Sequence, residues 1–410
     1  MNPAISSALL RGAAIAVAAA CALAVAAGNA AEKHYGPGVS DTEIKLGQTM
    51  PYSGPASSYA SVGLTELAYF KMINEQGGVN GRKIEMISLD DGYSPPKTVE
   101  QTRRLIEEEN VLAIVGSLGT APNSAIQRYL NQKKVPQLFV ATGATKWGDP
   151  KNFPWTMGWA PNYQAEGRVY AKYLLTNVAN ARVAILFQDD DYGKDYVKGF
   201  RDGLGEAADK LIIAQTSYEV TDPTVDSQIV ALQSSGANVF FNVATPKFAA
   251  QAIRKAYDIG WRPLEIVNSV GSSTGAVMKP VGFERTQGLI SAHYQKDATD
   301  PRWQNDPGMQ QYLAFMKRYL PNLDVADTGT YTGYNVATNV VYLLKQCSDD
   351  LTRENFMKQA ASIGDLELPM LLPGIKVNTS PTDYYPVGQM QLVRFEGDGW
   401  VLFGEVLDGS

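Results

Sequence analysis

The chain has 410 residues, a formal net charge of −6 and 45% hydrophobic residues. That charge, without any basic run, speaks against a grip on a nucleic-acid backbone. Its two histidines, His34 and His293, are far apart and have no cysteine nearby, so neither a histidine metal site nor a cofactor is expected.

Residues 1–30 read as an export signal. Arg11 is the only charge, Gly12 to Ala27 is almost wholly Ala, Val, Leu and Ile, and small residues follow at Gly28, Ala30 and Ala31. The apolar stretch is too short and too Ala-rich to span a bilayer comfortably. Cys21 follows three alanines, but the apolar run continues past it, which favours a cleaved signal over a lipid anchor. Removal of Cys21 leaves Cys347 as the one cysteine, so no internal disulfide is expected.

Strand and helix patterns then alternate. Ile44–Thr49 reads as a strand, and Tyr59–Gln76 as a helix closed by Gly77-Gly78. Lys83–Leu89 is a strand, and a helix starts at Pro95 or Pro96 with Val99, Thr102, Leu105 and Ile106 on one face. Val111–Val115 is an unbroken apolar run that enters a Gly-Ser-Leu-Gly-Thr turn, with Pro122 read as the first helical residue. Gln137–Val140 is the next strand. Residues 152–159, with Pro and Gly and no period, read as a crossover.

A second alternating set follows, with strands Val183–Phe187, Leu211–Thr216, Val239–Asn242 and Glu265–Asn268 and helices near Gly193, Val225, Lys247 and Thr274. Gly288–His293 is a strand positioned to lead back to the first half, ahead of helices Pro307–Leu320 and Gly329–Gln346. Leu368–Val377 reads as another crossover, and Gln389–Phe395 and Trp400–Val406 flank Gly397-Asp398-Gly399 as a hairpin. The pattern predicts an α/β fold with parallel sheets and right-handed crossovers.

Four stretches, Met50–Gly63, Ile73–Ile106, Val115–Ala125 and Phe187–Phe200, resemble in order and spacing the leucine/isoleucine/valine-binding type of periplasmic solute-binding protein of ABC importers. The resemblance implies two doubly wound parallel-sheet lobes joined by a three-strand hinge, with a ligand cleft between them. It implies residues 41–157 plus 293–368 as lobe 1 and residues 158–292 plus 369–410 as lobe 2. It further implies a monomeric periplasmic receptor, no enzymatic activity, a small carboxylate ligand, and a membrane permease and ATPase as partners.

Carried onto this sequence, the family's carboxylate-holding turns fall on Ser117 and Thr120 and on Thr142, Ala144 and Thr145. Small hydroxylated residues let backbone N–H groups approach a ligand and add donors of their own. Tyr59 and Tyr192 take the places of ligand-facing aromatics, and Thr245 lies in the Val243–Pro246 turn of the second lobe. Val270 falls where amino-acid binders carry the acid that pairs with the ligand's ammonium, and an unpaired ammonium in a closed cleft is costly. The favoured ligand is therefore a hydrophobic or aromatic carboxylic acid without an α-amino group. Tyr52, Tyr93, Trp147, Trp155 and Trp159 add aromatic surface near the expected cleft.

The alternative within the family is a branched-chain or other amino acid binder. Outside it, an enzyme on a Rossmann-like fold lacks support, because no dinucleotide glycine pattern, Walker sequence or nucleophile elbow is present. A sensory ligand-binding domain is the third reading. Asp189-Asp190-Asp191 reads as a solvated turn rather than a metal site.

Overall fold

The computed structural model describes residues 33–408; residues 1–30, read above as an export signal, and Cys21 lie outside them. Two sheets organise the chain. The first is built from β1 (Glu43–Met50), β2 (Lys83–Asp90), β3 (Ala113–Val115), β4 (Gln137–Val140) and β5 (Thr156–Gly158), all parallel, in the order β2-β1-β3-β4-β5. Helices α1 (Ala60–Glu75), α2 (Pro95–Glu107) and α3 (Thr120–Lys133) connect its strands. Because helices cover both faces, β3 and β4 are fully buried and almost wholly apolar, with Gln137 as the polar exception.

After β5 the chain crosses over into α4 (Tyr163–Asn177). The second sheet repeats the scheme with β6 (Val183–Gln188), β7 (Ile212–Tyr218), β8 (Val239–Val243), β9 (Leu264–Val267) and β10 (Ile290–His293). These strands are parallel and lie in the order β7-β6-β8-β9-β10. Helices α5 (Asp191–Leu204), α6 (Asp226–Ser234) and α7 (Pro246–Asp258) connect them. The two sheets therefore share one winding, and each reverses direction beside its first strand.

Two further helices, α8 (Pro307–Tyr319) and α9 (Thr328–Cys347), return to the first sheet. There α9 packs on α1, with the Tyr69 and Tyr334 rings edge to face at 5.1 Å. Gly333 permits the approach, since a Cβ there would lie 2.4 Å from the Val62 carbonyl oxygen. The chain then passes the hinge again, where Leu372 N donates to Tyr294 O and Lys296 N to Met370 O. It ends as the hairpin β11 (Gln389–Glu396) and β12 (Gly399–Asp408), with β11 antiparallel to β10. The three passages near residues 159, 295 and 371 are the hinge, so the fold is two doubly wound lobes. Cys347 is buried and has no disulfide partner among the described residues.

Two local expectations are corrected. Helix α3 starts at Thr120, with Gly119 as its cap at φ +105°, and Pro122 is its third residue. The first four helical amides have no intrahelical partner, so proline is tolerated there as well as at the first position. The helix expected near Thr274 is a π turn, Thr274–Met278, running into a three-residue helical piece. Pro280 supplies no N–H for a regular ladder at that point.

Candidate functional site

In an open parallel sheet, ligands bind beyond the carboxyl ends of the strands, where the strand order reverses. The reversals here fall between β1 and β3 in one lobe and between β6 and β8 in the other. Tyr59 follows β1, Thr120 follows β3, Tyr192 follows β6 and Thr245 follows β8. The two lobes face one another with these edges, and all four residues line one cavity of about 120 Å³ between them. Thr142, after β4, and Val270, after β9, line it too.

The lobe-1 wall is built by backbone constraint. Gly116 at φ +64° turns the chain out of β3, and a Cβ there would lie 2.5 Å from the Glu66 carboxylate. Gly119 brings the turn against Tyr93, with 2.6 Å from its ideal Cβ position to the ring, and leaves α3 without a side-chain cap. Thr120 and Thr142 then place their hydroxyl oxygens 2.6 Å apart, both residues being almost wholly buried. Opposite them, Asn268 Nδ2 donates to the Tyr192 hydroxyl, and the Tyr163 ring meets that of Tyr192 edge to face at 5.4 Å.

Three expected contacts lie elsewhere. The turn at Gly116 points Ser117 back into the sheet, where its Oγ accepts from Thr49 N at 3.0 Å. Ala144 is buried in the core. Thr145 sits at the rim and joins the lobes: its N–H donates to Asp195 Oδ2 at 2.7 Å, and its hydroxyl accepts from Asn162 Nδ2. Tyr52 bonds to Ser88, while Trp147 and Trp155 pack in the core; none of the three lines the cavity. Tyr93 and Trp159 do line it.

The sequence reading missed a charged wall. Lys296, Asp297 and Asp327 line the cavity, as do Tyr163, Tyr294 and Tyr331. Lys296 is neutralised by Asp306 at 2.7 Å. Asp297 accepts from the Thr274 hydroxyl at 2.6 Å and from the Thr299 N–H and hydroxyl. Asp327 caps α9 by accepting from Gly329 N, and burial raises its pKa. His293 donates to or accepts from Ser272 Oγ, and burial pulls its pKa down to about 4, so it is neutral at pH 7. The signal that marks Lys296 and Asp297 is their place just past the carboxyl end of β10. Asp327 is marked by its place as an N-cap.

Contacts around the rim hold the lobes together. Lys146 Nζ lies 2.8 Å from Asp191 Oδ2, Gly275 N donates to Ala326 O, and Lys279 pairs with Asp324 at 3.1 Å. The acidic turn is thus divided: Asp190 caps α5, Asp191 reaches the other lobe and Asp189 pairs with Lys194.

Residues 43–399 match the family described as periplasmic binding protein. The chain belongs to that family, whose members bind substrates for transport. It is 25% identical over 295 residues to Leu/Ile/Val-binding protein homolog 7 of Brucella abortus (strain 2308), covering 69% of this chain and 73% of that protein. The fold is that of a branched chain amino acid ABC transporter protein from Thermus thermophilus with bound valine (TM-score 0.81, 15% identity, 90% of this chain and 97% of that one). It is also that of a fatty acid ABC transporter substrate-binding protein from Thermomonospora curvata (TM-score 0.75, 22% identity, 92% and 95%).

Proposed function

We propose that this protein is a periplasmic receptor that delivers a small hydrophobic carboxylate to the permease and ATPase of an ABC importer. The observation that carries the reading is the cavity of about 120 Å³ lined by both lobes, with Thr120 and Thr142 on one wall, Lys296, Asp297 and Asp327 on another and several aromatic rings among the rest. An apolar cavity of about 150 Å³ accepts benzene, so this one suits a single ring or a branched body of similar size. Because the solute touches both lobes, it stabilises the closed arrangement over the open one by its differential contacts.

Within that class the favoured solute is an aromatic or other hydrophobic acid without an α-amino group. Val270 leaves the lobe-2 turn without an acid, and the oxygens of Asp297 and Asp327 already accept hydrogen bonds from Thr274, Thr299, Ser273 and Gly329. The second reading, an amino acid, rests on those same two carboxylates, because neither has a cation against it among the described residues. Calorimetry with benzoate, 4-methyl-2-oxopentanoate and leucine separates the readings. Binding of either amine-free acid more tightly than leucine supports the first. Binding of leucine alone replaces it with the second, and failure of all carboxylates in a wider screen overturns both.

A further inference from the structure

The hinge end of the cavity carries two polar groups that the carboxylate reading does not use. Trp159 lies on the first crossover and is completely buried, and its indole Nε1 has no hydrogen-bond partner among the described residues. Gln295 lies on the second crossover, is 8% exposed, and its side-chain Nε2 is likewise without a partner, although Oε1 accepts from the Thr332 hydroxyl at 3.4 Å. Both residues line the cavity. They come from separate hinge strands, so neither orphan follows from the placement of the other.

A buried N–H without an acceptor forfeits its hydration and gains nothing in return, so native structures carry few of them. Two residues with unpartnered donors on the wall of one small cavity form a pattern that a solute oxygen would complete once the side chains turn those donors towards it. An indole N–H can only donate, and the carboxamide NH₂ of Gln295 also only donates. The complementary group is therefore an acceptor: a hydroxyl, ether or carbonyl oxygen.

We infer that Trp159 and Gln295 are specificity-determining residues that donate to a second oxygen on the body of the solute, apart from the carboxylate held at Thr120 and Thr142. This rests on the proposal that the cavity binds a small carboxylate, and it narrows that class to oxygenated acids. A site built around such donors rejects an analogue that lacks the acceptor, because binding it leaves buried groups unpaired.

The test is calorimetry of the full chain with benzoate and its 2-, 3- and 4-hydroxy derivatives. At least one hydroxybenzoate is expected to bind ten times more tightly than benzoate or better. In Gln295→Met and Trp159→Phe the ratio of hydroxybenzoate to benzoate affinity falls towards one, whatever the change in benzoate affinity itself, and thermal unfolding confirms a folded protein. Equal affinity of the unmodified chain for benzoate and all three derivatives overturns the inference without needing any variant. A preference that survives in both variants overturns it as well. If none of the four acids binds, the inference falls, whereas the carboxylate reading itself fails only if no carboxylate in the wider screen binds.

Discussion

Thr120 and Thr142 hold their hydroxyl oxygens 2.6 Å apart although they follow different strands of the lobe-1 sheet. Only one of the two hydrogens is needed for that bond, so the pair retains a donor for a ligand oxygen. Hydrogen bonds to a charged acceptor contribute about 1.5–3 kcal/mol. Thr120→Val or Thr142→Val is expected to weaken benzoate binding about tenfold or more, read by calorimetry, with the melting temperature little changed. An unchanged affinity in both variants removes the carboxylate from this wall.

Gly119 is required twice over, by its φ of +105° and by the 2.6 Å between its ideal Cβ position and the Tyr93 ring. Gly119→Ala is therefore expected to lower stability by about 1–3 kcal/mol and to displace the Thr120 turn. Denaturant unfolding reports the first effect and benzoate titration the second.

Lys146 and Asp191 join the lobes at the rim, outside the cavity, with side chains 35% and 58% exposed. An exposed pair contributes at most about 1 kcal/mol. Lys146→Ala should weaken every bound solute by a similar factor, roughly two- to fivefold, because it acts on closure rather than on any one contact. An effect confined to one solute contradicts that role.

Glu265 is buried on β9 with Asn242 Nδ2 as its hydrogen-bond donor, and burial raises its pKa from the ordinary carboxyl range to about 7. The folded state thus holds a proton that the unfolded chain releases first. Stability is full below about pH 4.5 and declines as pH rises to about 7, by roughly 1–3 kcal/mol. Glu265→Gln is expected to flatten that slope and to be more stable than the parent at pH 8, as measured by thermal unfolding across this range.

Much of this architecture is written in local sequence. Buried parallel strands such as Phe139 to Val140 and Val239 to Phe241 read as uninterrupted apolar runs, and glycines mark the turns that feed the cleft. The edges facing the cavity follow from strand ends, and the family resemblance assigned Tyr59, Thr120, Thr142, Tyr192, Thr245 and Val270 to them; all six line the cavity. Ser117, one residue past Gly116, was not, because a single positive φ decides which way its side chain points. Asp297 and Asp327 escaped for another reason: a strand end and a helix N-cap mark their places, but the chain brings them to the cleft only after crossing the hinge.

The central claim is that both lobes enclose a small carboxylate at the Thr120–Thr142 wall. Its most direct measurement is calorimetry of benzoate against the parent chain and the Thr120→Val/Thr142→Val double variant. One site per chain is expected in the parent, with a loss of affinity of about a hundredfold in the double variant. One-to-one binding of equal strength to both proteins would contradict it.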